Sequence, residues 1–283
     1  MPSQREIRRR IGSVRNIKQI TRAMQFVAAS KLKRAQDATL QSRPYSEKID
    51  EVLADLASVL TAEEHPLLQR REGGSRLIVL LTTDRGLAGA LNTNVIRFAA
   101  RTITEHQGDL DVVTVGRKGT GAMRRARVPI AASFEGFGDR PSFADVTPLA
   151  RLVTDDYLAG KYDVVDLIYP RFVSTLSQRP DHDRLLPVEP SEEEHGIPGR
   201  QFIFEPNPGA VLTQLLPRYV ATRIYQAVLE TTASEQSARM VAMKNATENA
   251  EELIDDLTLT YNKVRQANIT REMIEIATGA NAL

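Results

Sequence analysis

Apolar residues recur at steps of three and four along the first sixty positions. Ile7, Ile11, Val14, Ile17, Ile20, Met24, Val27 and Leu32 form a one-sided stripe, the mark of an amphipathic helix. Ser3 followed by Glu6 reads as a capping box at its start. Pro44 predicts a bend or break, after which the period resumes at Ile49, Val52, Leu53, Leu56 and Leu60. The stretch from roughly Ala210 to Ala277 has the same period through Tyr219, Ile224, Val228, Met240, Leu253, Leu257 and Val264. Ala238, Ala242, Ala246 and Ala250 lie four apart on one ridge, where small side chains admit a close partner helix. Pro217 suits the first turn of a helix, so the long C-terminal helix is expected to begin there, after a short preceding one. At about 1.5 Å per residue each end would make a rod on the order of 80–100 Å long. Packing the two as an antiparallel coiled coil buries both stripes.

The period changes between the two ends. Leu77–Leu81 is a short continuous apolar run, Leu110–Val115 and Asp163–Tyr169 read as further strands, and Val128–Ala132 reads as a third in chain order. Helical patterns over Leu91–His106, Lys118–Arg125 and Val146–Leu158 alternate with them, which argues βαβ units and a mostly parallel, Rossmann-like sheet. Residues from Pro180 to Pro208 are rich in Pro, Glu and Gly and read as a surface excursion, with a hairpin strand at Gln201–Phe204. The fold class is therefore α/β with a long helical pair. Residues 1–70 and 207–283 form a discontinuous coiled-coil shaft, and residues 71–206 a globular foot.

Composition narrows the function classes. The 283 residues carry a net charge of only +1, so bulk charge gives nucleic-acid binding no support. Cysteine is absent, which removes disulfides, thiolate nucleophiles and thiol switching. No run of 18 apolar residues occurs, so no direct membrane span is expected. Local charge is uneven. Arg5, Arg8, Arg9, Arg10, Arg15, Lys18, Arg22, Lys31, Lys33 and Arg34 crowd the first helix, and Glu248, Glu251, Glu252, Asp255 and Asp256 cluster on the last. Such a basic face either is simply solvated or steers toward an acidic partner.

Candidate chemistry is sparse. Gly116–Gly121 follows a strand and opens a helix, the context of a phosphate-cradling loop, but its spacing fits neither the dinucleotide fingerprint nor the P-loop. Asp84 and Arg85 follow the first strand, where α/β ligands usually bind; a turn-holding role fits them better. His65, His106, His182 and His195 show no metal-ligand spacing. On residues alone the chain reads as a structural or interaction protein, with a nucleotide-binding Rossmann-like enzyme or a generic coiled-coil scaffold as rivals. No catalytic residue, cofactor or metal is expected.

Three segments carry a resemblance. Ile7–Gln36, Thr83–Asn94 (TDRGLAGALNTN) and the C-terminal run through Ser234–Asn249, Tyr261–Thr270 and ITREMIEIATGANA resemble the gamma subunit family of F-type ATP synthases. The resemblance implies a central-stalk rotor inside a ring of three alpha and three beta subunits, joined to an epsilon subunit and a c ring. It implies a position on the cytoplasmic face of a bacterial plasma membrane, as a peripheral part of the enzyme; the family motif starts too early for a transit peptide. Rotation of the stalk would drive the catalytic sites on the beta subunits, and this subunit would hold no catalytic residue itself. By motif, Lys18, Met24, Lys31, Arg34, Arg239, Arg265, Gln266, Thr270 and Glu272 would meet the catalytic head, and Glu205 the c ring or epsilon. Ala88 stands where the family commonly has Cys.

Overall fold

The computed structural model describes residues 3–59, 65–71, 73–189, 205 and 207–280. The chain divides into two compact units, residues 1–28 with 239–283, and residues 29–238. Helices α1 (Gln4–Val59) and α5 (Pro208–Ala280) each contribute to both.

In the first unit α1 and α5 run antiparallel. The Gln4 amide donates to the Tyr261 hydroxyl at 3.1 Å, Lys18 pairs with Glu251 at 2.7 Å, and the hydroxyls of Thr21 and Thr247 meet at 2.8 Å. Shielded positions of α1 step by four and three through Ile7, Ile11, Val14, Lys18, Thr21, Gln25 and Ala28, with Met24 and Ala29 half-buried beside them. On α5, Met243, Thr247, Ala250, Ile254, Leu257 and Tyr261 do the same. This is the 3.5-residue period of a coiled coil, which keeps the seam straight where a 3.6 period drifts. Two expectations shift as a result. Ile17, Ile20 and Val27, read as part of the inward stripe, are exposed. Of the alanine ridge only Ala250 is fully buried, because an i±4 row turns about 40° per step away from a straight seam.

Capping at the start of α1 is half of what the sequence suggests. Ser3 Oγ accepts from the Glu6 N–H at 3.3 Å, but the Glu6 carboxylate turns to Arg10 at 2.8 Å instead of reaching back.

The second unit is a five-stranded sheet in the order β3-β2-β1-β4-β5. β1 (Arg76–Leu81), β2 (Leu110–Val115), β3 (Ile130–Phe134) and β4 (Val164–Ser174) are parallel, and β5 (Ser177–Leu186) returns antiparallel to β4. α2 (Leu91–Glu105) and α3 (Arg117–Arg125) cover one face, packing on Ile78, Leu80, Val112 and Ile168. α4 (Phe143–Leu158) covers the other, with Leu53 and Leu56 of α1 and Leu212, Leu216, Val220 and Ile224 of α5 joining its core.

Three sequence expectations change here. β5 replaces the first part of the expected surface excursion; its run QRPDHDR lacks apolar alternation, because it is an edge strand. Neither Pro44 nor Pro217 interrupts its helix. Both lie on exposed faces, where the carbonyl four residues back is left to water instead of being orphaned in a core. The helix-starting role falls to Pro208, with Asn207 as its cap: Asn207 Oδ1 accepts from the Ala210 N–H at 2.9 Å. The expected hairpin strand at 201–204 lies outside the described residues.

Candidate functional site

The places where an α/β enzyme would hold a ligand are filled by the chain itself. The first N–H groups of α3 all have protein acceptors: Arg117 N–H donates to Asp84 Oδ1 at 3.0 Å, Lys118 N–H to the Thr83 carbonyl at 3.1 Å, and Gly119 N–H to Thr82 Oγ1 at 2.8 Å. A helix N-terminus satisfied in this way offers no cradle to a phosphate. The glycines serve close packing. Gly116 has φ +92°, and a Cβ there would stand 2.2 Å from the Thr82 carbonyl oxygen. Asp84 is a brace, as the turn-holding reading expects: its second oxygen accepts from the Gly136 N–H at 3.0 Å. Asn92 completes the turn, its Oδ1 accepting from the Thr83 N–H at 3.1 Å.

The crevice at the carboxyl ends of β1 and β2 is roofed by α5. Thr82, Asp84, Gly116, Phe137, Val228, Thr231, Thr232 and Glu235 enclose about 40 Å³ there, room for water and not for a nucleotide. Among the described residues, no group of three or more His, Asp or Glu is placed to hold a metal ion.

Polar side chains inside the second unit are bound into structural networks. Asp166 on β4 is fully buried between Arg76 on β1 at 3.3 Å and Arg184 and His182 on β5 at 3.0 and 3.2 Å. Burial pushes its carboxyl up, but the His182 hydrogen bond and the neighbouring His182, Arg76 and Arg184 side chains outweigh this and hold it below the usual carboxylate range. Asp183 accepts from the Tyr169 hydroxyl at 2.9 Å and lies 3.5 Å from both Arg171 and Arg223, fastening α5 to the β4–β5 hairpin. Burial raises the Glu230 carboxyl on the same helix, against the opposing pull of Arg171.

Much of the exposed apolar surface lies on the two long helices. Beyond Tyr261, where α1 begins alongside, α5 continues to Ala280. On that continuation Arg265, Gln266, Thr270 and Glu272 are exposed, together with Ile269, Met273 (65% exposed), Ile274 and Ile276 (73%). On α1, Ile17, Ile20 and Val27 face water in a second row, with Met24 half-buried beside them and Phe26 next to it, 62% exposed. Arg5, Arg8, Arg9, Arg15 and Arg22 are exposed around that row.

The remaining expected contact residues divide. Lys18 is engaged by Glu251, whose carboxyl it holds below the usual range. Lys31 is half-buried and 2.6 Å from Asp139. Arg34 is exposed and donates within its own helix to the Ser30 carbonyl. Arg239 is buried. Glu205 is exposed, with chain neighbours outside the described residues. The outward apolar row on α1 is the feature the sequence reading missed; a strict seven-residue count from Ile7 would have placed Ile17 and Ile20 off the seam.

Comparison with known proteins gives this surface a context. A family profile described as ATP synthase matches residues 3–283. The ATP synthase gamma chain of Dehalococcoides mccartyi is 49% identical over 285 residues, and that of Pelotomaculum thermopropionicum 46% identical over 283, each covering both chains completely. Among solved structures, the central stalk and c ring of the Tetrahymena thermophila mitochondrial ATP synthase aligns with 26% identity and TM-score 0.62, over 80% of this chain and 99% of that one. A chain of the Euglena gracilis mitochondrial ATP synthase, in one of its rotational states, shares the fold at TM-score 0.72 and 22% identity, over 99% of this chain and 94% of that one. The chain belongs to the family of ATP synthase gamma chains.

Proposed function

We propose that this chain is the central-stalk rotor of a proton-translocating F-type ATP synthase, converting rotation of a c ring into conformational change at catalytic sites on three beta subunits. The single observation that carries this reading is the continuation of α5 past the start of α1. It presents Ile269, Met273, Ile274 and Ile276 to water. Large apolar side chains exposed at that density, with Ile269, Met273 and Ile276 on one helix face, mark a surface made to be covered. A ring of alpha and beta subunits closing around it supplies the cover.

The remaining contacts follow from position and charge. Arg265, Gln266, Thr270 and Glu272 share the continuation and are assigned to loops of the head. Met24 and Arg34, with the outward row Ile17, Ile20 and Val27, are assigned to the sleeve and an acidic collar of the beta subunits; Arg239 is assigned to the head by motif. Glu205 and the α/β domain are assigned to epsilon and the c ring. A pair of helices has no threefold symmetry, so it offers each of three beta subunits a different face. Each site is thereby biased toward a different nucleotide affinity, a population shift imposed mechanically. The chain supplies no catalytic group, and its enzyme acts at a membrane through its partners, on the cytoplasmic side.

Co-expression with alpha and beta subunits tests the assignment. An assembled, ATP-hydrolysing complex containing this chain is expected. An active alpha–beta ring that never incorporates it would refute the reading.

A further inference from the structure

Asp139 stands outside the sheet, on the loop between β3 and α4, and one carboxylate there holds both long helices. Its Oδ2 accepts from Lys31 Nζ of α1 at 2.6 Å, and its Oδ1 accepts from Gln236 Nε2 of α5 at 3.3 Å. Lys31 is mostly shielded and Gln236 is buried, while the Asp139 carboxylate between them is 43% exposed.

The loop that carries Asp139 is pinned on either side of it. Gly136 N–H donates to Asp84 Oδ2 at 3.0 Å, which ties the loop to the end of β1. Past Asp139, the Tyr225 hydroxyl donates to the Pro141 carbonyl at 3.4 Å, and the Tyr225 ring meets Phe143 edge-on at 5.7 Å. Gly136 and Gly138 take positive φ, which lets the backbone turn tightly here. A carboxylate on a loop anchored this way resists following a helix that slides or turns. Displacing α1 stretches the Lys31 bond; displacing α5 stretches the Gln236 bond.

We propose that Asp139 is a positioning residue for rotary coupling, a latch that fixes the register of α1 and α5 against the α/β domain so that the three turn together. The proposal rests on the rotor reading given above. It gives Lys31 an internal partner in place of the head contact that the sequence resemblance implies for it.

The test uses the assembled ATP synthase carrying Asp139→Asn, Lys31→Gln, or the exchanged pair Lys31→Asp with Asp139→Lys. Three quantities are read: ATP hydrolysis, ATP-driven proton pumping in membrane vesicles, and amide hydrogen exchange over residues 136–141. Each single variant should hydrolyse ATP within about two-fold of the wild type. Exchange over 136–141 should quicken about five-fold, the factor for one lost partly shielded ion pair, and the ratio of pumping to hydrolysis should fall. The exchanged pair should restore both. Quickened exchange with an unchanged pumping ratio overturns the proposal and leaves Asp139 a local fastening only; unchanged exchange overturns it as well. The wild-type complex separates the two readings, since its assembly and pumping test the rotor assignment whatever the variants do.

Discussion

Replacing Asp166 by Asn removes a fully buried negative charge from β4 while keeping the side chain's size. Asp166 is fully buried, and Arg76, Arg184 and His182 converge on it within 3.3 Å. Removing one partner from a buried ion pair costs about 3–5 kcal/mol, because the other charge is left uncompensated. Here the arginines are 23% and 38% exposed and rehydrate in part, so a loss of about 2–3 kcal/mol is expected at pH 7. The sign of the pH dependence follows from the depressed carboxyl. A group held below its unfolded value of 3.8 contributes stability that is fully present above that pH and is lost as pH falls through the lower folded value. The gap between wild type and Asp166→Asn should therefore be full at pH 7 and begin to close below about pH 4. Urea unfolding of both proteins at pH 7 and at stepped values below pH 4 measures it. A difference under about 0.5 kcal/mol at pH 7, or a gap that stays constant as the acid range is crossed, would refute the reasoning.

Further predictions bear on single elements. Gly116→Ala forces a Cβ to within 2.2 Å of the Thr82 carbonyl at φ +92°, and should destabilise the second unit by at least about 2–3 kcal/mol in the same urea assay. Asn207→Ala removes the cap of α5 and should cost about 1 kcal/mol, with faster amide exchange confined to the first turn. Ile17→Ser with Ile20→Ser alters exposed positions, so thermal unfolding of the chain alone should move little while assembly with alpha and beta subunits weakens; the opposite pattern would place both residues in an internal core.

Much of the architecture is legible in the chain because burial and period agree there. Leu77–Leu81 is a continuous apolar run and Leu110–Val115 is rich in valine, and both become central parallel strands with buried carboxyl-terminal halves. β5 escapes that logic. Its residues Gln178 to Arg184 alternate charges and carry Pro180, the composition of a guarded sheet edge, and nothing in the period separates it from a loop. Pro44 and Pro217 mislead because proline's penalty depends on which side of the helix it lies, and both lie toward water.

The working surface shows the same limit. A 3.6-residue stripe and a 3.5-residue seam coincide over two turns and then part. Lys18, Thr21 and Gln25 occupy shielded positions that polarity argues against, while Ile17 and Ile20 are left outside. Their exposure is paradoxical for an isolated helix pair and sensible for one made to be enclosed. Glycines that resemble a phosphate loop by spacing and context prove, at Gly116 and Gly119, to be points where α3 closes on Thr82. Only the three-dimensional hydrogen-bond account separates those two uses.

The central claim is that this chain turns. Direct observation of rotation tests it: alpha and beta subunits are assembled with this chain, the ring is fixed to a surface, and a probe is attached to the exposed α/β domain. With ATP supplied, the probe should rotate in one direction in three steps per turn. Sustained hydrolysis with the chain incorporated and the probe stationary would contradict the account.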